Sequence, residues 1–181
     1  MLPFFLILLS LLSPLWAQES PAVSQQTAES SSDREGLTSP QDQVPSPSEQ
    51  ASRQLSALAA YLGLSVEEVI ASEGYPDEMY TVRGPSEGQD SVVFFYSASL
   101  SLFWAESHVW QVRAFLDSLG DHRAISRNMT REEVLALLGE ADLDRGDFYI
   151  YTLPQRGYPV SCALYFDNDR LSDLYVYRSD F

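Results

Sequence analysis

Ser65-Val-Glu-Glu-Val-Ile-Ala-Ser-Glu-Gly74 and Thr130-Arg-Glu-Glu-Val-Leu-Ala-Leu-Leu-Gly139 are the two stretches that decide how this chain folds. They lie 65 residues apart and share Glu67/Glu132, Glu68/Glu133, Val69/Val134, Ala71/Ala136 and Gly74/Gly139, with Asp77/Asp142 three residues further on. Each begins with a hydroxyl residue whose side chain accepts from the third helical N–H, while Glu68 or Glu133 reaches back to close a capping box. Val69, Ile70, Val134, Leu135 and Leu138 supply the buried stripe. Glycine then ends each helix, because only glycine enters the left-handed region without strain. The spacing predicts two short helices with hard stops.

Beyond each glycine the pattern reads as antiparallel sheet. Leu102-Phe-Trp-Ala-Glu-Ser-His-Val109 corresponds to Leu164-Tyr-Phe-Asp-Asn-Asp-Arg-Leu171, an aromatic strand turning through polar residues into another strand. Strands are expected near 79–83, 91–97, 99–105 and 108–115, and again near 147–153, 160–167 and 171–178. A further helix is expected over 50–62, where Leu55, Leu58, Ala59 and Leu62 share a face. The fold expected is α+β: two tandem helix-plus-antiparallel-sheet repeats, with helices packed on one sheet face. The first repeat covers about 51–118 and the second about 119–181.

Upstream of this domain the composition changes twice. Residues 2–12 are an apolar run broken by Pro14 and followed by Ala17, the pattern of a cleavable secretory signal over residues 1–17. The run is shorter than a spanning helix requires, so no stable membrane insertion is expected after cleavage. Residues 18–50 are rich in Ser, Gln, Glu and Pro and read as a disordered linker, too poor in apolar surface to offset ordering entropy. The chain is therefore expected to be periplasmic or secreted.

Charge and composition exclude several classes of function. The formal net charge is −15, and all eleven basic residues are arginine. An acidic surface repels phosphate backbones, so nucleic acid is not an expected partner. The lack of lysine removes Schiff-base chemistry and the phosphate-loop lysine. With two histidines, His108 and His122, and the single cysteine Cys162, a Cys/His zinc centre lacks ligands. Cys162 shares a strand phase with Leu164 and Phe166 and reads as an inert core thiol. No metal is expected from the acidic loop of Asp142, Asp144 and Asp147, whose spacing is not that of a calcium hand. Arg145-Gly146-Asp147 and Asn128-Met-Thr130 read as a turn and a helix cap.

A capped helix ending Val-Leu-Ala-Leu-Leu-Gly139, then Asp142, then a hairpin carrying Tyr165-Phe-Asp-Asn-Asp-Arg-Leu171, resembles the small SmpA/OmlA (BamE-type) envelope domain. Used twice in tandem, the unit is similar to the β-lactamase-inhibitory-protein-like fold. The resemblance implies a protein-binding module of the bacterial envelope, either an assembly accessory or an inhibitor of another exported protein. Members of the first kind are usually lipoproteins, and this chain lacks the lipid-bearing cysteine.

Strand alternation suggests where a partner would sit. Cys162, Leu164, Phe166, Leu174 and Val176 fall in one phase and should face the helices. The other phase holds Tyr165, Asp173, Tyr175 and Tyr177, and Tyr149 and Tyr151 are assigned to the same open face, with Phe103, Gln111 and Arg113 from the first half. Tyrosine and arginine dominate binding hot spots because they bury much area and keep a polar tip. The candidate partner-binding set is thus Tyr149, Tyr151, Tyr165, Tyr175, Tyr177, Phe103 and Arg113. No catalytic residue and no cofactor is expected. The alternative is a small carboxylate-dependent envelope hydrolase using Glu67/Glu68 or Glu132/Glu133, which capping and the helix dipole already explain.

Overall fold

The computed structural model describes residues 44–84, 90–97, 100–116 and 124–181. The expected signal and most of the expected linker, together with His122, lie outside the described residues. The first helix, α1 (Pro47–Ala59), starts inside the expected linker. Ser46 caps it, accepting from the Glu49 N–H while Glu49 accepts from the Ser46 N–H. α2 (Val66–Glu73) and α3 (Arg131–Leu138) each close a capping box, at Ser65/Glu68 and Thr130/Glu133, and each stops at a glycine with φ of 82° or 84°.

The strands are β1 (Glu78–Val82), β2 (Ser91–Tyr96), β3 (Leu100–Ala105), β4 (His108–Ala114), β5 (Leu143–Asp144), β6 (Phe148–Leu153), β7 (Val160–Asp167) and β8 (Arg170–Arg178). They form one antiparallel sheet in the order β1-β2-β3-β4-β8-β7-β6-β5.

This corrects the expected fold of two tandem helix-plus-sheet repeats. β4 pairs with β8 through Gln111↔Tyr177, Val112↔Val176, Arg113↔Tyr175 and Ala114↔Leu174, so no sheet edge separates the two segments. α1 packs against α3, β4 and β8 and so spans the join. Gln54, buried on α1, donates from Nε2 to the Ile125 carbonyl at 3.0 Å and accepts from the Ile125 N–H at 3.1 Å. The shared sequence pattern marks recurring local devices within one sheet and one core, not two separate sheet-bearing repeats.

That core has a clear composition. Ala51, Leu55 and Leu58 of α1, Val69 of α2 and Val134 of α3 join Leu102, Trp104, Val112, Cys162, Leu164, Phe166, Leu174 and Val176 in a single cluster. These sheet residues all belong to one strand phase, as period-2 alternation requires. Burial raises the Cys162 thiol to about 12 and keeps it protonated.

Candidate functional site

The opposite phase of the sheet carries a different surface. Register places Tyr80, Val93, Phe103, Gln111, Tyr177 and Ser161 in one row across six strands. The neighbouring row runs Phe95, Ser101, Arg113, Tyr175, Ala163 and Ile150. Small or short residues alternate with large ones. Val93, Ser101 and Ala163 are 0%, 1% and 3% exposed although they face away from the helices, because the rings beside them close over the backbone. The face is a bed of small residues roofed by aromatic rings and one arginine.

Those rings touch in sequence. Phe148 lies 4.9 Å from Tyr165 between centroids, Tyr165 meets Tyr175 edge-on at 5.5 Å, and Phe103 is 6.5 Å from Tyr175. Arg113 is held at the centre. Its guanidinium lies 5.8 Å from the Tyr175 ring and 5.4 Å from Phe115, which meets Phe95 edge-on. Its Nε donates to Asp173 Oδ1 at 2.8 Å and its Nη2 donates to the same oxygen. Burial works to lower the Arg113 pKa, but the Asp173 hydrogen bond and the nearby charges raise it on balance, so the group stays cationic. Burial likewise pushes the Tyr165, Tyr175 and Tyr177 phenols up, leaving them neutral hydrogen-bonding tips.

A bulge enlarges one end of the face. Phe103 pairs with Gln111 and Trp104 with Val109, so Trp110 is the extra residue on β4. Bulges re-aim side chains, and Trp110 stacks on Phe181 at 6.1 Å while its Nε1 donates to Ser91 Oγ at 3.2 Å. A cleft of about 590 Å³ opens there, lined by Trp110, Phe103, Phe181, Arg83, Asp90 and Glu106 among others.

Of the residues singled out in the sequence, Tyr165, Tyr175, Tyr177, Phe103 and Arg113 are on this face. Tyr149 and Tyr151 are not, and their assignment is corrected. Tyr149 pairs directly with Leu164 and Tyr151 with Cys162, and directly opposed residues share a face, so both tyrosines enter the helix-side core. Tyr151 donates its hydroxyl to the Gly139 carbonyl at 3.1 Å, and burial raises its phenol to about 12. Tyr149 packs edge-on to Phe166 at 5.0 Å beneath the Arg131 guanidinium. The residues missed were Tyr80, which is 42% exposed, and Trp110.

The carboxylates of the alternative reading are engaged elsewhere. Glu68 accepts from the Ser65 N–H at 2.8 Å, which lowers its pKa, and Glu133 accepts from the Thr130 N–H at 2.7 Å. In the acidic loop, Asp142 accepts from the Thr152 N–H and Asp144 from the Gly146 N–H. Among the described residues no group of three or more acidic, histidine or cysteine side chains converges as metal ligands. No helix among them is long and apolar enough to cross a membrane.

Among the described residues, fold and site thus define an antiparallel sheet with three helices and an aromatic face left open. No family model matches the sequence, and no curated protein matches it. Solved structures similar to this chain include the following two. One is an extracellular protein containing a SCP domain from Bacillus anthracis str. Ames, at 17% identity and a TM-score of 0.44, covering 68% of this chain and 46% of that chain. The other is a cysteine-rich secretory protein from Staphylococcus aureus subsp. aureus Mu50, at 11% identity and a TM-score of 0.45, again over 68% and 46%. The matched region spans a little under half the length of either. Neither is an SmpA/OmlA domain or a β-lactamase-inhibitory-protein-like fold, and the resemblance drawn from the sequence motif is corrected accordingly. The motif that carried it, a capping box, a glycine stop and a two-residue turn, serves any short helix that feeds a hairpin.

Proposed function

We propose that this chain is an exported, non-catalytic module that binds another exported protein through the open face of its sheet. The observation that carries the reading is the layer of Tyr165, Tyr175, Tyr177, Phe103 and Arg113 standing on buried small residues. From β1 to β7 the face is about 24 Å wide at ordinary strand spacing. An open surface of that width, with the cleft beside Trp110 at one end, suits a protein partner that can span it. The rings hold one another and Arg113 in place, so little side-chain entropy remains to be lost on binding. Export rests on the apolar run at residues 2–12 and the small residue Ala17. The acidic balance of the chain favours a partner with a basic surface.

The test is affinity capture of exported proteins with the wild-type chain, with a Tyr165/Tyr175/Tyr177→Ala variant shown folded by circular dichroism as the control. A protein held by the wild type and lost from the variant supports the reading. Equal retention by both removes it.

A further inference from the structure

β1 is an edge strand without the usual protection. All five of its residues are exposed, with Met79 at 67%, Tyr80 at 42% and Val82 at 41%, and Val92 of the adjoining β2 at 43%. Folded proteins blunt such edges by shortness, lysine, proline or a bulge. The far edge of this sheet follows that rule, since β5 has only two residues. β1 has five residues with no lysine, proline or bulge, Glu78 being its one charged residue, and β2 is its one neighbour among the described strands. Its outward row of N–H and C=O groups is a template for a further strand.

Going beyond the proposed function, we propose that β1 pairs antiparallel with β1 of a second copy, about a two-fold axis through Tyr80, fusing two sheets into one. The charge order of the strand selects this occupant. Asp77 and Glu78 stand at one end, Arg83 at the other, and Met79, Tyr80, Thr81 and Val82 lie between. A parallel copy would set like charges together, whereas an antiparallel copy sets acid against arginine. Directly opposed residues must point to the same face, which restricts the register to pairs of equal parity. Centring on Tyr80 then puts Met79 opposite Thr81, Glu78 opposite Val82, and Asp77 opposite Arg83 of the other copy.

The ends are free to make these contacts. Among the described residues neither Glu78 nor Arg83 has an ion pair. Asp77 accepts the Ser97 N–H and hydroxyl through Oδ2, which leaves Oδ1 open. The interface is isologous, as a two-fold dimer requires. It also joins the two open faces at Tyr80 and doubles the aromatic surface presented to a partner. A single strand pair with a few flanking side chains belongs to the small, transient class of interfaces, so the association is reversible.

The experiment is sedimentation velocity over a concentration series, on the chain recovered from the periplasm of a bacterial host. The expected result is a concentration-dependent monomer–dimer equilibrium. Met79→Lys removes it, and Arg83→Glu weakens it about fivefold to tenfold, as for two exposed ion pairs lost per dimer. Both side chains are exposed, so the variants fold. A Tyr80→Cys chain should cross-link to a dimer with a short bis-maleimide, because residue 80 opposes itself, and a Tyr175→Cys chain should not. Cys162 is fully buried and stays silent. A monomer at every concentration overturns the proposal. So does a dimer indifferent to both charge variants, a Tyr80→Cys chain that does not cross-link, or a strand of a different protein found on this edge.

Discussion

Replacing Gln54 tests whether the chain is one cooperative unit. Its side-chain amide bonds both backbone groups of Ile125, at 3.0 and 3.1 Å, and Gln54 and Ile125 are 8% and 0% exposed. Gln54→Ala strands one buried N–H and one buried carbonyl where little water can enter. Each buried polar group left unmade costs about 1–3 kcal/mol. The sum expected is about 2–6 kcal/mol, a large share of the roughly 5–15 kcal/mol that holds a domain of this size together. In urea, at a slope of about 2 kcal/mol/M, the midpoint should fall by about 1–3 M. Gln54→Leu, which keeps most of the volume, should lose nearly as much, because the hydrogen bonds and not the packing carry the effect. The assay is urea unfolding followed by tryptophan fluorescence and by circular dichroism. Both probes should move together, because α1 ties the connector at Ile125 to β4 and β8. A change below about 0.5 kcal/mol, the range of ordinary surface substitutions, would refute the reasoning. Two separated transitions would restore the picture of independent repeats.

Other substitutions probe single contacts. Ser101 Oγ is buried without a hydrogen-bond partner, so Ser101→Ala should be neutral or stabilise by up to about 1 kcal/mol in thermal unfolding, against the usual direction of core truncation. Tyr151 has its phenol raised from 10.0 to about 12 by burial, so the folded state favours the neutral form. Its contribution is present below pH 10 and lost as pH rises toward 12, and Tyr151→Phe should flatten that alkaline loss of stability. The same variant should cost about 1 kcal/mol at neutral pH for the bond to Gly139. Glu133→Ala should lower stability by about 1 kcal/mol, as for a lost cap, with partner capture unchanged.

Much of the local structure was legible in the sequence, because caps, glycine stops and strand alternation act over a few residues. The phase of β7 and β8 could be read from Cys162, Leu164, Phe166, Leu174 and Val176, all of which enter the core. Pairing between distant segments could not be read. The phase of β6 depends on how its connection to β7 sets the register, and a slip of one residue exchanges the faces. That is why Tyr149 and Tyr151 were assigned to the wrong side. The β4–β8 junction that turns two segments into one sheet joins Arg113 to Tyr175, and nothing local at either residue signals it. Tyr80 went unrecognised because the strands of the first half had no assigned partners, and Trp110 because a bulge breaks the alternation that would have placed it. The Gln54 bond to Ile125 spans 71 residues, and a buried amide on a helix gives no sign of its acceptor.

The central claim is that the face bearing Tyr165, Tyr175 and Tyr177 contacts the partner. A photo-reactive benzoyl-phenylalanine in place of Tyr165, which is 37% exposed, reads this directly. The control places the same residue at the exposed Arg53 of α1. Irradiation among exported proteins should give one discrete cross-linked product from position 165 and none from position 53. Cross-links from position 53 alone would contradict the account, since the partner would then lie on the helix side and the aromatic face would be a packing feature of the sheet.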